Sequence, residues 1–164
     1  MDSLKIFIDT EFTNFFEPKL ISLGMVAESG EEFYVEVPFA FNESSDFVRE
    51  VVVPMLNQYP NSYCPHSELP LRILNWLQIV RIGQHPVEIC YDYTTDWELF
   101  VSALDYSVPA WVTPRNVDSE TSDFLLADFW RRSEENGSEE CEHHALSDAK
   151  ALAYAFRAKP TTSI

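Results

Sequence analysis

Residues 4–38, LKIFIDTEFTNFFEPKLISLGMVAESGEEFYVEVP, set the frame for the rest of the chain. The run 4–9, LKIFID, carries the apolar β-forming residues of a short strand, and 20–28, LISLGMVAE, is a second such run leading into a Ser29-Gly30 turn. The segment 31–38, EEFYVEVP, alternates as a returning strand that Pro38 stops. Together these three predict an antiparallel meander. Its first strand runs into two acids, Asp9 and Glu11. Side chains at i and i+2 of a strand share a face, so both carboxylates converge at one end of it. Carboxylates held that close repel unless they share a proton or bind a cation, and a divalent ion with oxygen ligands meets that need. Taken alone, an Asp-x-Glu pair is also a common and harmless surface pattern.

Outward from the meander, a region punctuated by Pro and Asn holds two helical patches, 45–57 and 67–80. Ser67 is placed to cap the second, whose Leu71, Leu74, Trp76, Leu77 and Ile79 predict a broad buried face. PVEICYD, 86–92, reads as a fourth strand and TTDWELFVSAL, 94–104, as the helix after it. AWVTP, 110–114, reads as a fifth strand ended by Pro114. A helix over 121–135 would bury Phe124, Leu125, Phe129 and Trp130, and after the polar loop ENGSEECE, 135–142, a last helix runs over 144–158. In that helix Leu146, Ala149, Leu152, Ala153 and Phe156 recur at helical spacing. Three strands followed by helices alternating with two more strands predict an α/β fold, a mixed sheet with helices packed on it. At 164 residues the expectation is one domain, 1–164, with a flexible tail from about 158.

The composition narrows the class. Apolar residues make up 46% and aromatic residues 14%, which predicts a globular chain. Cys64, Cys90 and Cys141 form neither a C-x-x-C pair nor an even-numbered framework, so a reducing compartment is expected. The opening residues lack a charged-then-apolar leader, and no apolar run approaches the ~18 residues of a membrane span. A cytoplasmic protein without membrane association is the expectation. With 11 Lys+Arg against 27 Asp+Glu, the net charge is -16, which excludes a basic stripe able to hold long nucleic acid by its phosphates. The acids can be a solvated surface, metal ligands, or a mimic of a polyanion that occupies another protein's basic groove.

Two further clusters join the first pair. Asp92 and Asp96 stand at the junction of the fourth strand and the following helix, where Asp96 alone needs no role beyond favouring a helix N-terminus. HHALSDA, 143–149, sets His143 five and His144 four residues before Asp148. In this order the three stretches resemble the exonuclease motifs of the DEDDh 3′-5′ exonucleases in the ribonuclease H-like superfamily. The first is DTEFT, 9–13; the second is ICYDYTTDWELF, with Asp96 at the motif's Asp; the third is intact as His143, Ala145, Leu146, Asp148 and Ala149. The openings IFIDTEFT, LISLGMVAE and FYVEV are similar to the small bacterial and phage 3′-5′ exoribonuclease branch related to ribonuclease T. The chain departs from the pattern at Tyr91, Asp92 and Thr95, where His, Asn and Phe or Tyr are usual.

The resemblance implies a ribonuclease H-like mixed sheet of five or six strands. It implies that Asp9, Glu11, Asp96 and Asp148 hold two divalent metal ions, Mg²⁺ or Mn²⁺, and that His143 is the general base, with His144 its local competitor. An imidazole titrates near pH ~6.5, close to working conditions. The polar stretch before His143 suggests a mobile base that orders on substrate binding. Phe12 and Thr13 follow Glu11 and are placed to meet the terminal nucleotide, although Phe12 can equally be core. The implied activity is a 3′-5′ exoribonuclease acting on an RNA 3′ end. The same chemistry on single-stranded DNA or short oligonucleotides stays open, as does a non-catalytic nucleic-acid mimic. Enzymes of this type are often homodimers, so a second copy of the chain is an admissible partner.

Overall fold

The computed structural model describes residues 2–159. The expected tail from about 158 is described only as far as Lys159, with Ala158 still helical, and the remainder lies outside the described residues. Strands β1 (Leu4–Phe12), β2 (Leu20–Ala27) and β3 (Glu32–Glu36) form the expected meander. They are followed by α1 (Leu69–Val80), β4 (Val87–Tyr91), α2 (Thr94–Ala103), β5 (Val112–Asn116), α3 (Asp123–Glu135) and α4 (Ala145–Ala158). The sheet has five strands in the order β3-β2-β1-β4-β5. β1 is central, antiparallel to β2 and parallel to β4, so the sheet is mixed as expected. Among the described residues no helix is long and apolar enough to cross a membrane.

The alternation of β1 divides the core. Ile6 and Ile8 lie with Leu23, Met25 and Ile89 against Ile73 and Leu77 of α1 and Phe100 of α2. Phe7 faces the other way and packs with Cys90 against Leu152 and Ala153 of α4. Asp9 and Glu11, two and four residues beyond Phe7, therefore continue the face that α4 covers. α3 lies outermost and packs on α4.

The seating of α4 depends on Gly24 of β2, which pairs with Asp9 in the sheet. A Cβ on Gly24 would meet the Ala145 carbonyl carbon and oxygen and the Leu146 nitrogen, each at 2.4 Å. Those neighbours are backbone, so no rotamer change relieves the clash. Gly24→Ala is expected to lower stability by about 3 kcal/mol, the upper range of overpacking costs. Urea unfolding measures this, and an unchanged midpoint would contradict the tight approach.

Several local expectations are corrected. The patch 45–57 is no regular helix: Val48–Val52 winds as a π-helical turn and Val53–Met55 as a 3-10 turn, because Pro54 has no N–H to carry a regular ladder through. Ser67 caps nothing; α1 starts at Leu69 with Glu68 at its N-cap, no side-chain cap, and Pro70 in its first turn. Its buried residues are Leu69, Ile73, Leu77 and Val80, whereas Leu71 and Ile79 are exposed. The face is rotated because this helix is apolar nearly all round and periodicity alone cannot choose. Pro114 sits inside β5 and pairs with Ile89; β5 is an edge strand, where a missing N–H need not break a ladder. Phe124 is exposed, and Leu125, Phe129 and Trp130 are half-buried, as suits the outermost helix.

Candidate active site

The site lies where the sheet splits. β1 and β4 pair from Leu4↔Val87 to Phe7↔Cys90; beyond that point β4 turns away into α2 and β1 runs on to Phe12 paired with β2 only. The Thr10 N–H, past the last pair, donates to Asp96 Oδ1 at 3.1 Å, and the Thr10 hydroxyl donates to the same oxygen at 2.5 Å. Asp96, in the first turn of α2, is 3% exposed, and these two bonds fix its orientation. Its burial is therefore explained by neither a helix dipole nor a solvated surface.

Asp9, Glu11 and Asp148 offer one carboxylate oxygen each within 4.8 Å of one another, and so do Asp9, Asp92 and Asp96. Asp9 belongs to both groups. The four acids singled out in the sequence thus come from three elements, β1, α2 and α4, into one cluster. Asp92, immediately after β4, joins them although the sequence reading left it outside the ligand set. The available signal was its D-x-x-x-D spacing to Asp96 across a strand-to-helix turn.

Proximity and burial leave these groups hard to ionise without a cation. Burial, with Asp96, Asp148, Glu11 and Asp92 adding repulsion, raises Asp9 well above the usual carboxylate range. Burial and then Asp148 and Asp96 push Glu11 up to about 9. Asp96 is raised by burial to about 7 despite the opposing Thr10 bonds. Asp148 is raised likewise to about 7, against the favourable His143 N–H. Burial also raises Asp92, partly offset by its own amide and that of Tyr93. Among the described residues, no Lys, Arg or His forms an ion pair with any of the five. An all-oxygen donor set with no internal countercharge fits hard divalent ions such as Mg²⁺ or Mn²⁺.

The two histidines separate clearly. His143 and His144 precede α4 rather than sharing its face with Asp148: His143 has a left-handed backbone at φ 64°, and His144 is the N-cap residue. The His143 N–H donates to Asp148 Oδ2 at 3.1 Å, and its exposed ring meets Phe47 edge-on at 4.9 Å. His144 is 5% exposed and packs against Tyr34 at 4.5 Å and Tyr59 at 4.9 Å, and neither ring nitrogen has a partner among the described residues. Burial lowers its pKa. It is thereby placed in the protein interior and not at the mouth of the site.

Phe12 is half-buried against the core and meets Phe15 edge-on at 5.3 Å; Phe15 in turn meets Tyr93 at 6.2 Å. Phe15 is 75% exposed. Thr13 corrects an expectation, because its side chain is 0% exposed. Its hydroxyl accepts from the Lys19 N–H at 3.1 Å and donates to the Glu17 carbonyl, closing the loop between β1 and β2. A loop-holding position leaves it no free face for a ligand.

No family model matches the chain. No curated protein matches it either. Solved structures do. The nuclease domain of 3′hExo, a DEDDh family member bound to rAMP, superposes with a TM-score of 0.60 at 17% identity, covering 94% of this chain and 90% of that one. The 3′-exonuclease that recognises the histone mRNA stem-loop matches at 0.57 and 16%, over 94% of this chain and 63% of its own. Cell-death related nuclease 4 (CRN-4) matches at 0.56 and 12%, over 92% and 61%. At such identities the likeness establishes the fold, a five-stranded ribonuclease H-like sheet with helices packed on it.

Proposed function

We propose that the chain is one catalytic domain, a metal-dependent 3′-5′ exoribonuclease whose ligands are Asp9, Glu11, Asp96 and Asp148 and whose general base is His143. The observation that carries this reading is the convergence of these carboxylates from three elements without any cationic partner, with His143 joined to one of them. The neighbours that share the fold are DEDDh nuclease domains, one bound to rAMP and one specific for an mRNA 3′ end, which supports a nucleotide substrate. The finer placement, in the small branch related to ribonuclease T, rests on IFIDTEFT and LISLGMVAE.

Two divalent ions, held by Asp9, Glu11, Asp96 and Asp148, would supply Lewis acidity to phosphodiester hydrolysis. The chain's own groups do the rest. Thr10 fixes Asp96, so one ligand is positioned before anything binds. The His143 ring accepts the proton of the attacking water as the new O–P bond forms and the P–O3′ bond breaks, releasing a nucleoside 5′-monophosphate. Phe12, backed by the core and continued outward by Phe15 and Tyr93, offers ring faces to the terminal base. A net charge of -16 disfavours long polyanions, which favours a short 3′ end with few held phosphates over a long duplex.

The test is product analysis on a 5′-labelled RNA carrying a 3′ overhang, with Mg²⁺ or Mn²⁺ and with chelator. A ladder of shortening products that needs metal and stops at the duplex is expected. Matched DNA, run beside it, distinguishes the single-stranded DNA reading. Intact RNA and DNA under every metal condition would overturn the nuclease.

A further inference from the structure

Asp92 is the one member of the cluster to which the four-acid set gives no task. It follows Tyr91, the last residue of β4, and precedes the start of α2 by two residues, so the strand that leaves the sheet delivers it to the split. Its oxygen lies within 4.8 Å of those of Asp9 and Asp96. It is half-buried, and among the described residues it has no ion pair.

The buried Asp96 beside it supplies a separate observation. One oxygen, Oδ1, takes both Thr10 bonds, while no described residue donates a hydrogen bond to the other. A carboxylate 97% enclosed, pinned by one oxygen and joined to two more acids, is a donor oriented for a cation. Counted without Asp92, the half of the centre around Asp96 has two carboxylates, Asp9 and Asp96, one charged ligand fewer than the other half until the substrate's phosphate arrives. Counted with it, both halves have three carboxylates and share Asp9. Ion affinity at all-oxygen sites rises with the number of charged ligands.

We propose that Asp92 is a fifth carboxylate ligand, so that the centre loads two divalent ions before any nucleotide enters. This rests on the reading of the cluster as a metal centre. It makes both ions resident in the free protein, with the substrate phosphate arriving at a site already loaded instead of recruiting the second ion.

Mn²⁺ titration of the chelator-stripped protein without nucleotide, followed by electron paramagnetic resonance and calorimetry, tests this. The unaltered chain is expected to bind two Mn²⁺. Asp92→Asn, which keeps shape and removes charge, is expected to keep one site and weaken the other about tenfold or more. Asp92→Glu retains two sites, and Glu98→Gln, which removes one exposed charge from α2, leaves both unchanged. Circular dichroism melts in chelator establish that each variant is folded. Two undiminished sites in Asp92→Asn, or one site in the unaltered chain, would overturn the role of Asp92 alone. No Mn²⁺ binding by the unaltered, folded chain would instead remove the metal centre itself.

Discussion

His143→Ala is expected to lower turnover on RNA about 10²–10⁴-fold, the range for loss of a general base, while Mn²⁺ binding stays within error of the unaltered chain. The contrast is Asp148→Ala, which is expected to lose turnover and metal together. The structure gives the reason for the split. His143 touches the cluster through its backbone, whose N–H donates to Asp148 Oδ2, and that bond survives removal of the ring. Asp148 supplies a carboxylate oxygen to the group with Asp9 and Glu11. Calorimetric titration beside a single-turnover assay reads both quantities. Equal loss of metal in both variants would sink the division of roles. His143 is exposed, but its φ of 64° costs an Ala about 1 kcal/mol, so a thermal melt of each variant separates misfolding from loss of the base.

The second large effect is on stability. Without metal, the melting temperature is expected to fall as pH rises from about 5 to about 8. Unfolded carboxylates titrate near pH ~4. In the folded chain Asp96 and Asp148 titrate at about 7 and Glu11 at about 9, all raised first by burial. Across that window the native state holds protons the unfolded chain has released, so the stability they supply is present at low pH and drains away as pH rises. Carboxylates held low behave oppositely but elsewhere. Asp128, bonded by Tyr154, Arg131 and Arg132, loses its contribution only below about pH 4. Added Mn²⁺ or Mg²⁺ is expected to reverse the loss and to stabilise far more at pH 8 than at pH 5, because binding must first displace those protons. Thermal melts at both values with metal and with chelator measure this. A melting temperature independent of pH in chelator would contradict the burial of these acids.

How much of this could be read in the sequence depended on whether a residue's role was set locally. The strand period of two places Asp9 and Glu11 on one face, and it is the same period that sends Ile6 and Ile8 to one layer and Phe7 to the other. The spacing of Asp148 from His143 also carried over, although the two are joined across the start of α4 and not along it. What could not be read depends on where the chain crosses itself. α1 is apolar enough that Leu71 and Ile79 were as good candidates for burial as Leu69 and Ile73, and only the sheet beneath decides. Thr10 acts on Asp96 across 86 residues, a partnership without any local pattern. Asp92 stood in view, but its meaning required the point where β4 parts from β1.

The packing of His144 bears on how the residue beside it can move. Tyr34, itself bonded through its hydroxyl to the buried Glu36, and Tyr59 pack against His144, and the two tyrosine rings also meet each other at 5.2 Å. The Cα of His143 is therefore only one peptide, about 3.8 Å, from a gripped neighbour. The proposed base therefore has one end of its backbone anchored in the interior, while the polar stretch precedes it at the other. Its exposed ring turns about its own side-chain bonds in picoseconds to nanoseconds, ahead of the microseconds to milliseconds that lid closure takes.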